Sequence, residues 1–138
     1  HDKHIMFEEF IDGTEVSCGV FYNNAVTSLP VTEIVTDNEF FDYEAKYEGK
    51  SNEITPARID KNIYSKIKNL TEKIYSELNL KGICRVDYII KNNLPYIIEI
   101  NTVPGLSKES IIPKQLKCMN ISLSEIFKIS IENATFNE

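Results

Sequence analysis

Apolar and polar positions change period along this chain, and the changes mark out its elements. Ile5 to Phe10, Glu15 to Tyr22 and Leu29 to Val35 read as β-type runs separated by Asp12-Gly13 and Asn23-Asn24, which have turn chemistry. The chain is therefore expected to open as an antiparallel meander. From Asp60 to Leu80 the period becomes helical: Ile63, Ile67, Leu70, Ile74 and Leu78 recur on one face behind an Asp able to cap the first turn. A helix with that stripe can cover a sheet. Ile83 to Ile90 and Tyr96 to Ile100 return to strand type around Lys91-Asn92-Asn93-Leu94-Pro95 and predict a β-hairpin. Further on, Pro113 suits the first turn of a helix, and Ser122 with Glu125 has capping-box spacing. In that last helix Leu123, Ile126, Phe127, Ile131 and Ala134 are expected to line one core face. The fold class is α+β, a mainly antiparallel sheet packed against helices.

Candidate chemistry concentrates in the hairpin. Side chains alternate along a strand, so Arg85 and Asp87 share one side, as do Ile97, Glu99 and Asn101. A turn centred on Asn93 would set Asp87 opposite Glu99 and Arg85 opposite Asn101, with facing Cβ atoms about 5 Å apart. Directly opposed like charges destabilise a sheet, so two acids among apolar neighbours make sense chiefly with a cation between them. Two carboxylates and an amide oxygen suit Mg2+ or Mn2+ rather than zinc. An ordinary hairpin with a rim salt bridge from Arg85 to Glu99 is the competing reading. The strand leaves through Asn101-Thr102-Val103-Pro104-Gly105, where a glycine allows close backbone approach to a ligand.

Composition narrows the classes. The 138 residues, 42% of them hydrophobic, suffice for one domain spanning residues 1–138, with no repeat or linker. Cys18, Cys84 and Cys118 sit in or beside apolar segments without metal-type or paired spacing, and read as reduced core residues of a cytosolic protein. No apolar run approaches the roughly 20 residues of a membrane span. A net charge of −6 argues against a nucleic-acid surface while leaving room for a local basic cleft. His1 and His4 read as incidental.

Three other stretches hold polar residues with two readings each. In Met6-Phe7-Glu8-Glu9-Phe10-Ile11 one acid points each way, which fits either a solvent-facing and an edge Glu or a ligand contact. Asp37 to Ser51 is charged, glycine-containing and aromatic around Lys46; it is either a loop packed back on the sheet or a lid. Ser107 and Ser110 precede Pro113 as helix caps or as part of an anion site.

Arg85-Val86-Asp87, Glu99-Ile100-Asn101-Thr102-Val103-Pro104-Gly105 and Phe40-Phe41-Asp42-Tyr43-Glu44-Ala45-Lys46-Tyr47 together resemble the D-alanine–D-alanine ligases, a family of ATP-grasp enzymes. The resemblance covers nearly the whole chain. It implies the C-terminal ATP-grasp portion of a longer enzyme, and ATP with two Mg2+ (or Mn2+) ions as cofactors. Asp87, Glu99 and Asn101 would hold the metal. Glu8 would contact adenine, the backbone from Glu9 to Ile11 would lie along the base edge, and Glu15 would receive the ribose hydroxyls. Phe40 would cover the adenine, Lys46 would reach the phosphates, and Tyr47 would tie down the closed lid. Arg85 and the Gly105 N–H would stabilise an oxyanion, and Ser110 with the Ile111 backbone would bind the carboxylate of the second D-alanine. Phe41, where the family more often has Tyr, and Glu109, where it often has His, depart from the pattern.

The implied reaction joins two D-alanines through an acyl phosphate, a cytoplasmic step of peptidoglycan precursor synthesis. Its partners would be D-alanine, ATP and the N-terminal and central lobes of the same enzyme, with no nucleic acid and no membrane. The sequence leaves oligomeric state open, a homodimer included. This chain alone is expected to fold without completing the reaction. Another ATP-grasp carboxylate-amine ligase, a D-alanine–D-lactate ligase and a non-catalytic nucleotide-binding module are the alternatives.

Overall fold

Ten residues, Thr14–Asn23, form β1, and those from Val16 to Phe21 are buried on both faces because strands flank them and helices cover them. The computed structural model describes residues 5–36 and 51–135; the expectations for Phe40, Phe41, Lys46, Tyr47, His1 and His4 lie outside the described residues. After β1 come β2 (Ala25–Ser28), β3 (Thr32–Thr36), β4 (Ser51–Ile54), β5 (Cys84–Lys91) and β6 (Leu94–Asn101). They make a six-stranded sheet in the order β4-β3-β1-β5-β6, with β2 paired to the end of β1. Every pairing is antiparallel.

Helix α1 (Lys61–Glu77) starts where expected: the Asp60 carboxylate accepts from the N–H groups of Asn62 and Ile63. Its buried residues are Ile63, Ile67, Thr71 and Tyr75, and they pack on Val16, Cys18, Val20, Val86 and Tyr88 from alternate positions of β1 and β5. Tyr88 is fully buried and keeps its hydroxyl satisfied by sharing a 2.7 Å hydrogen bond with Thr71. Two short helices, α2 (Ile111–Cys118) and α3 (Leu123–Thr135), cover part of the opposite face through Phe21, Leu29, Ile112, Leu116 and Ile126.

Several expectations are corrected. Residues 5–10 form no strand: Ile5, Met6, Phe7 and Phe10 are 73–91% exposed, and a strand without a neighbour to complete its hydrogen bonds is not stable. Of the run from Leu29 to Val35 only the part from Thr32 is strand, in β3; Leu29 to Val31 lie between β2 and β3, where Pro30 has no N–H to give a ladder. Helix α1 ends at Glu77, leaving Leu78 exposed. The capping box of α3 is present, with the Glu125 carboxylate accepting from the Ser122 N–H at 2.7 Å. Its buried stripe is different, however: Ile126 is inside with Leu123 and Ile129 against it, whereas Phe127 and Ile131 are exposed. The Asn133 amide, donating to the Tyr22 carbonyl at 2.8 Å, fixes that rotation. Cys18 and Cys84 are buried thiols, but Cys118 lies on the exposed side of α2. Among the described residues no helix is long and apolar enough to cross a membrane.

Candidate active site

The hairpin turn is tighter than a turn centred on Asn93. Asn92 and Asn93 have φ of 52° and 59°, the left-handed pair of a two-residue turn, and Lys91 pairs with Leu94. Continued without interruption, that register would bring Ile98 opposite Asp87 and put the two acids on opposite faces. A bulge intervenes. Tyr88 pairs with Ile97, then Asp87 with Glu99 and Arg85 with Asn101, so Ile98 is the extra residue of β6. The expected pairing of the acids is therefore found, for a different reason, and Ile97 follows Tyr88 off the Asp87 face.

Strand β1 extends the rows. Ser17 pairs with Asp87 and Gly19 with Arg85, so one row reads Ser17, Asp87, Glu99 and the next Gly19, Arg85, Asn101. Asp87 is 6% exposed and heavily engaged. Its Oδ1 accepts from the Ser17 hydroxyl and from Arg85 Nε at 2.8 Å. Its Oδ2 accepts from Arg85 Nη2 at 2.7 Å and from Asn101 Nδ2 at 3.0 Å. Asn101 Nδ2 also donates to Glu99 Oε1 at 2.9 Å, and Arg85 Nη2 stands 3.9 Å from that oxygen. The cation offsetting the opposed acids is thus Arg85. Burial disfavours its charge, but the hydrogen bond to Asp87 and the attraction of Asp87, Glu99 and Glu53 outweigh it and hold its pKa above the ordinary value.

This donor set fits a hard divalent ion. Among the described residues no three His, Cys, Asp or Glu side chains cluster as a metal cage, so such an ion would rest on two carboxylates, an amide and ligands from substrate or water. That is the usual way Mg2+ is bound beside phosphates. Asn101 reaches both acids through one amide group, and which end of that group is oxygen follows from the hydrogen-bond network. Turned over, it offers Oδ1 to the same place.

The other sequence-predicted residues fall into separate groups. Glu15 shares the Asp87 face, in the row of Ile34 and Ile89. Glu8 and Glu9 are exposed and Ile11 is half-buried, in a segment leading to Gly13. There the backbone passes so close to β5 that a Cβ would stand 2.3 Å from the Ile90 carbonyl oxygen. Gly105 and Ser110 form a cluster after β6: a Cβ on Gly105 would lie 2.8 Å from Ser110 Oγ, which shares a hydrogen bond with Ser107 Oγ at 2.8 Å. Ser110 is the N-cap of α2 without a side-chain capping bond, its hydroxyl being turned to Ser107.

Sequence reasoning missed three groups here. Ser17 could have been found by extending the alternation of β1, which puts it with Glu15 on one face. Gln115, fully buried between Ile112 and Leu116, interrupts the apolar stripe of a short helix, and that interruption is the signal. Glu53 and Lys114 form a 2.8 Å ion pair between β4 and α2, for which distant sequence positions offer no local cue.

An antiparallel sheet with one face sealed by a helix and an Arg-Asp-Asn-Glu cluster on the other defines the C-terminal subdomain of an ATP-grasp ligase. The family described as "D-ala D-ala ligase C-terminus" matches residues 1–132, and the chain belongs to it. It is 52% identical to D-alanine--D-alanine ligase of Flavobacterium johnsoniae over 132 residues, 95% of this chain and 41% of that protein. Among solved structures, the Bacillus anthracis D-alanine--D-alanine ligase complexed with ATP superposes with a TM-score of 0.74 at 29% identity, over 93% of this chain and 41% of that one. A D-Ala:D-Ser ligase from Enterococcus faecalis does so at 0.73 and 31% identity, over 90% and 37%. The chain spans about two fifths of the length of these relatives.

Proposed function

We propose that this chain supplies the metal- and nucleotide-binding part of an ATP-dependent ligase that joins two D-alanines through an acyl phosphate. The observation that carries the reading is the direct opposition of Asp87 and Glu99, bridged by Arg85 and Asn101 on a face that no helix among the described residues seals. Asp87, Glu99 and Asn101 would hold Mg2+ or Mn2+, two ions in the full reaction, which when bound screens phosphate charge during transfer. Glu8, the backbone from Glu9 to Ile11, and Glu15 would take the adenosine, with Phe40 and Lys46 closing over it.

Arg85 is suited to a second task. Its planar fork would be a donor to the oxyanion formed when the second amine attacks the acyl phosphate, with the Gly105 N–H as the other donor. Ser110, whose hydroxyl is not used to cap α2, would hold the carboxylate of the second amino acid. The reading places the reaction in the cytoplasm and makes the other lobes of the enzyme its partners.

The test is Mg2+-dependent ATP binding by Asp87→Asn and Glu99→Gln against the surface control Glu132→Gln. Loss of about tenfold or more in the first two is expected; equal effects in all three would reject the site. A second reading concerns only the acceptor, and the D-Ala:D-Ser ligase among the structural relatives motivates it. Product analysis with D-alanine, D-serine and D-lactate in competition would separate them, D-alanyl-D-alanine being the expected product.

A further inference from the structure

Ser17 and Gln115 are buried polar groups on the Asp87 face that the proposed reaction does not use, and both are fully inaccessible to solvent. We propose that they are positioning residues which fix the carboxylate of Asp87 so that one chosen oxygen faces Glu99 and a divalent cation. The proposal rests on the metal reading above.

The first link is direct. The Ser17 hydroxyl donates to Asp87 Oδ1, beside Arg85 Nε, and Oδ2 is the oxygen toward Glu99, both accepting from Asn101 Nδ2. Arg85 grips both Asp87 oxygens here and Asn101 holds Oδ2, so Ser17 governs the orientation only once Arg85 is withdrawn, and a hydroxyl can do so only if its own backbone is fixed. Ser17 has its backbone fixed in an unusual way. The edge that pairs with β1 breaks after Leu29, whose N–H still donates to the Gly19 carbonyl at 2.7 Å; Pro30 has no N–H to give, and the register shifts before Thr32 pairs with Ser17. The Ser17 carbonyl and the Gly19 N–H lie at that break. The Gln115 carboxamide satisfies both: Nε2 donates to the Ser17 carbonyl at 3.0 Å, and Oε1 accepts from the Gly19 N–H at 3.1 Å. A side-chain amide thus takes the place of a missing strand peptide.

The surroundings keep that amide in one orientation. Gln115 Nε2 also donates to Thr32 Oγ1 at 3.0 Å, and Thr32 Oγ1 shares a 2.7 Å hydrogen bond with Thr55 Oγ1. Gly19 has to be glycine for the approach, since a Cβ there would stand 2.6 Å from Gln115 Oε1. Helix α2, which begins at the Ser110 cluster, is by this route hydrogen-bonded to the strand beneath Asp87. Partners that orient a metal-binding carboxylate commonly govern metal affinity by about 10–100-fold when removed. A purely structural role would alter stability and leave the carboxylate as it was.

The experiment uses the 138-residue chain with ATP, Mn2+ as the probe read by electron paramagnetic resonance, and metal-free crystal structures of each variant. Ser17→Ala is expected to weaken Mn2+ binding about tenfold and Ser17→Thr, which keeps the hydroxyl, by less than about twofold. Gln115→Met, which keeps the volume and removes the amide, should fall between them, and thermal melts establish that each variant is folded. Because Arg85 and Asn101 also hold the carboxylate, its orientation is read in an Arg85→Ala background, where adding Ser17→Ala should turn Asp87 from the orientation it keeps in Arg85→Ala alone. Unchanged Mn2+ affinity in Ser17→Ala and unchanged Asp87 orientation in the double variant would overturn the proposal, as would a Ser17→Thr variant as weak as Ser17→Ala. If the wild-type chain itself takes up no Mn2+, the metal reading fails, and the Asp87 orientation alone decides positioning: turned supports it, unturned overturns it.

Discussion

The two faces of one strand pair have opposite chemistry here. On the side toward α1, Val16, Cys18, Val20, Val86 and Tyr88 are fully buried and apolar except for one satisfied tyrosine hydroxyl. On the other side the alternate residues are Glu15, Ser17, Gly19, Arg85 and Asp87, joined by Glu99 and Asn101 of β6. Period-two alternation is enough to separate them: neighbouring residues of the same strand pack an apolar core on one face and carry the polar cluster of the proposed site on the other. The helical layer completes the division. Helix α1 seals the first face along its length, whereas on the second α3 packs at the Phe21 end and α2 covers Gly19 and reaches Ser17 and β4, leaving the row of Asp87 and Glu99 to side chains of the sheet.

That division predicts which readout each substitution moves. The largest stability loss should come from the sealed face: Ile67→Ala, at a fully buried site, is expected to cost about 3 kcal/mol in urea denaturation. Gly19→Ala sharpens the comparison because it lies on the ligand face yet meets Gln115 and Ile112, both at 2.6 Å; a loss of about 2 kcal/mol is expected from overpacking. Glu99→Gln, in a half-exposed side chain, should change stability by less than about 0.5 kcal/mol while weakening Mg2+-ATP binding. A Glu99→Gln variant that lost as much stability as Ile67→Ala would break the division.

The smallest effects are those of pH on the thiols. Burial pushes the Cys18 thiol up to about 12 and raises that of Cys84, so both should stay protonated and closed to a disulfide reagent at pH 8. The sign is set by burial penalising the thiolate, which leaves the neutral thiol as the folded form until strongly alkaline pH. Exposed Cys118 should react quickly, and all three only on unfolding. Rapid reaction of Cys18 in the folded chain would show that the sealed face opens.

What the sequence makes legible follows from the range of the interactions. Helix α1 and its Asp60 cap, the hairpin and the capping box of α3 all depend on residues near in sequence or on simple alternation, whereas the opposition of Asp87 to Glu99 is expected from a turn the chain does not make. The bulge at Ile98 is not legible, because it compensates a two-residue turn whose register would otherwise have parted the acids. Nor is the rotation of α3, which depends on Asn133 meeting the Tyr22 carbonyl 111 positions away. The strand expected over residues 5–10 failed for a complementary reason: its apolar pattern is real, yet none of the described strands pairs with it. Gln115 belongs to the same class, a buried amide whose purpose shows only when the break in the β2–β3 edge is seen.

The most direct test of the assignment of ligand chemistry to the Asp87 face is a crystal of this chain grown with ATP and Mn2+, with the metal located by its anomalous scattering. The account predicts a peak between Asp87 Oδ2 and the Glu99 carboxylate, at about 2.1–2.3 Å from oxygen, with Asn101 turned to present Oδ1 and Arg85 withdrawn from Asp87. Nucleotide and metal bound at another place on the chain, with Arg85 still forked onto Asp87, would contradict it.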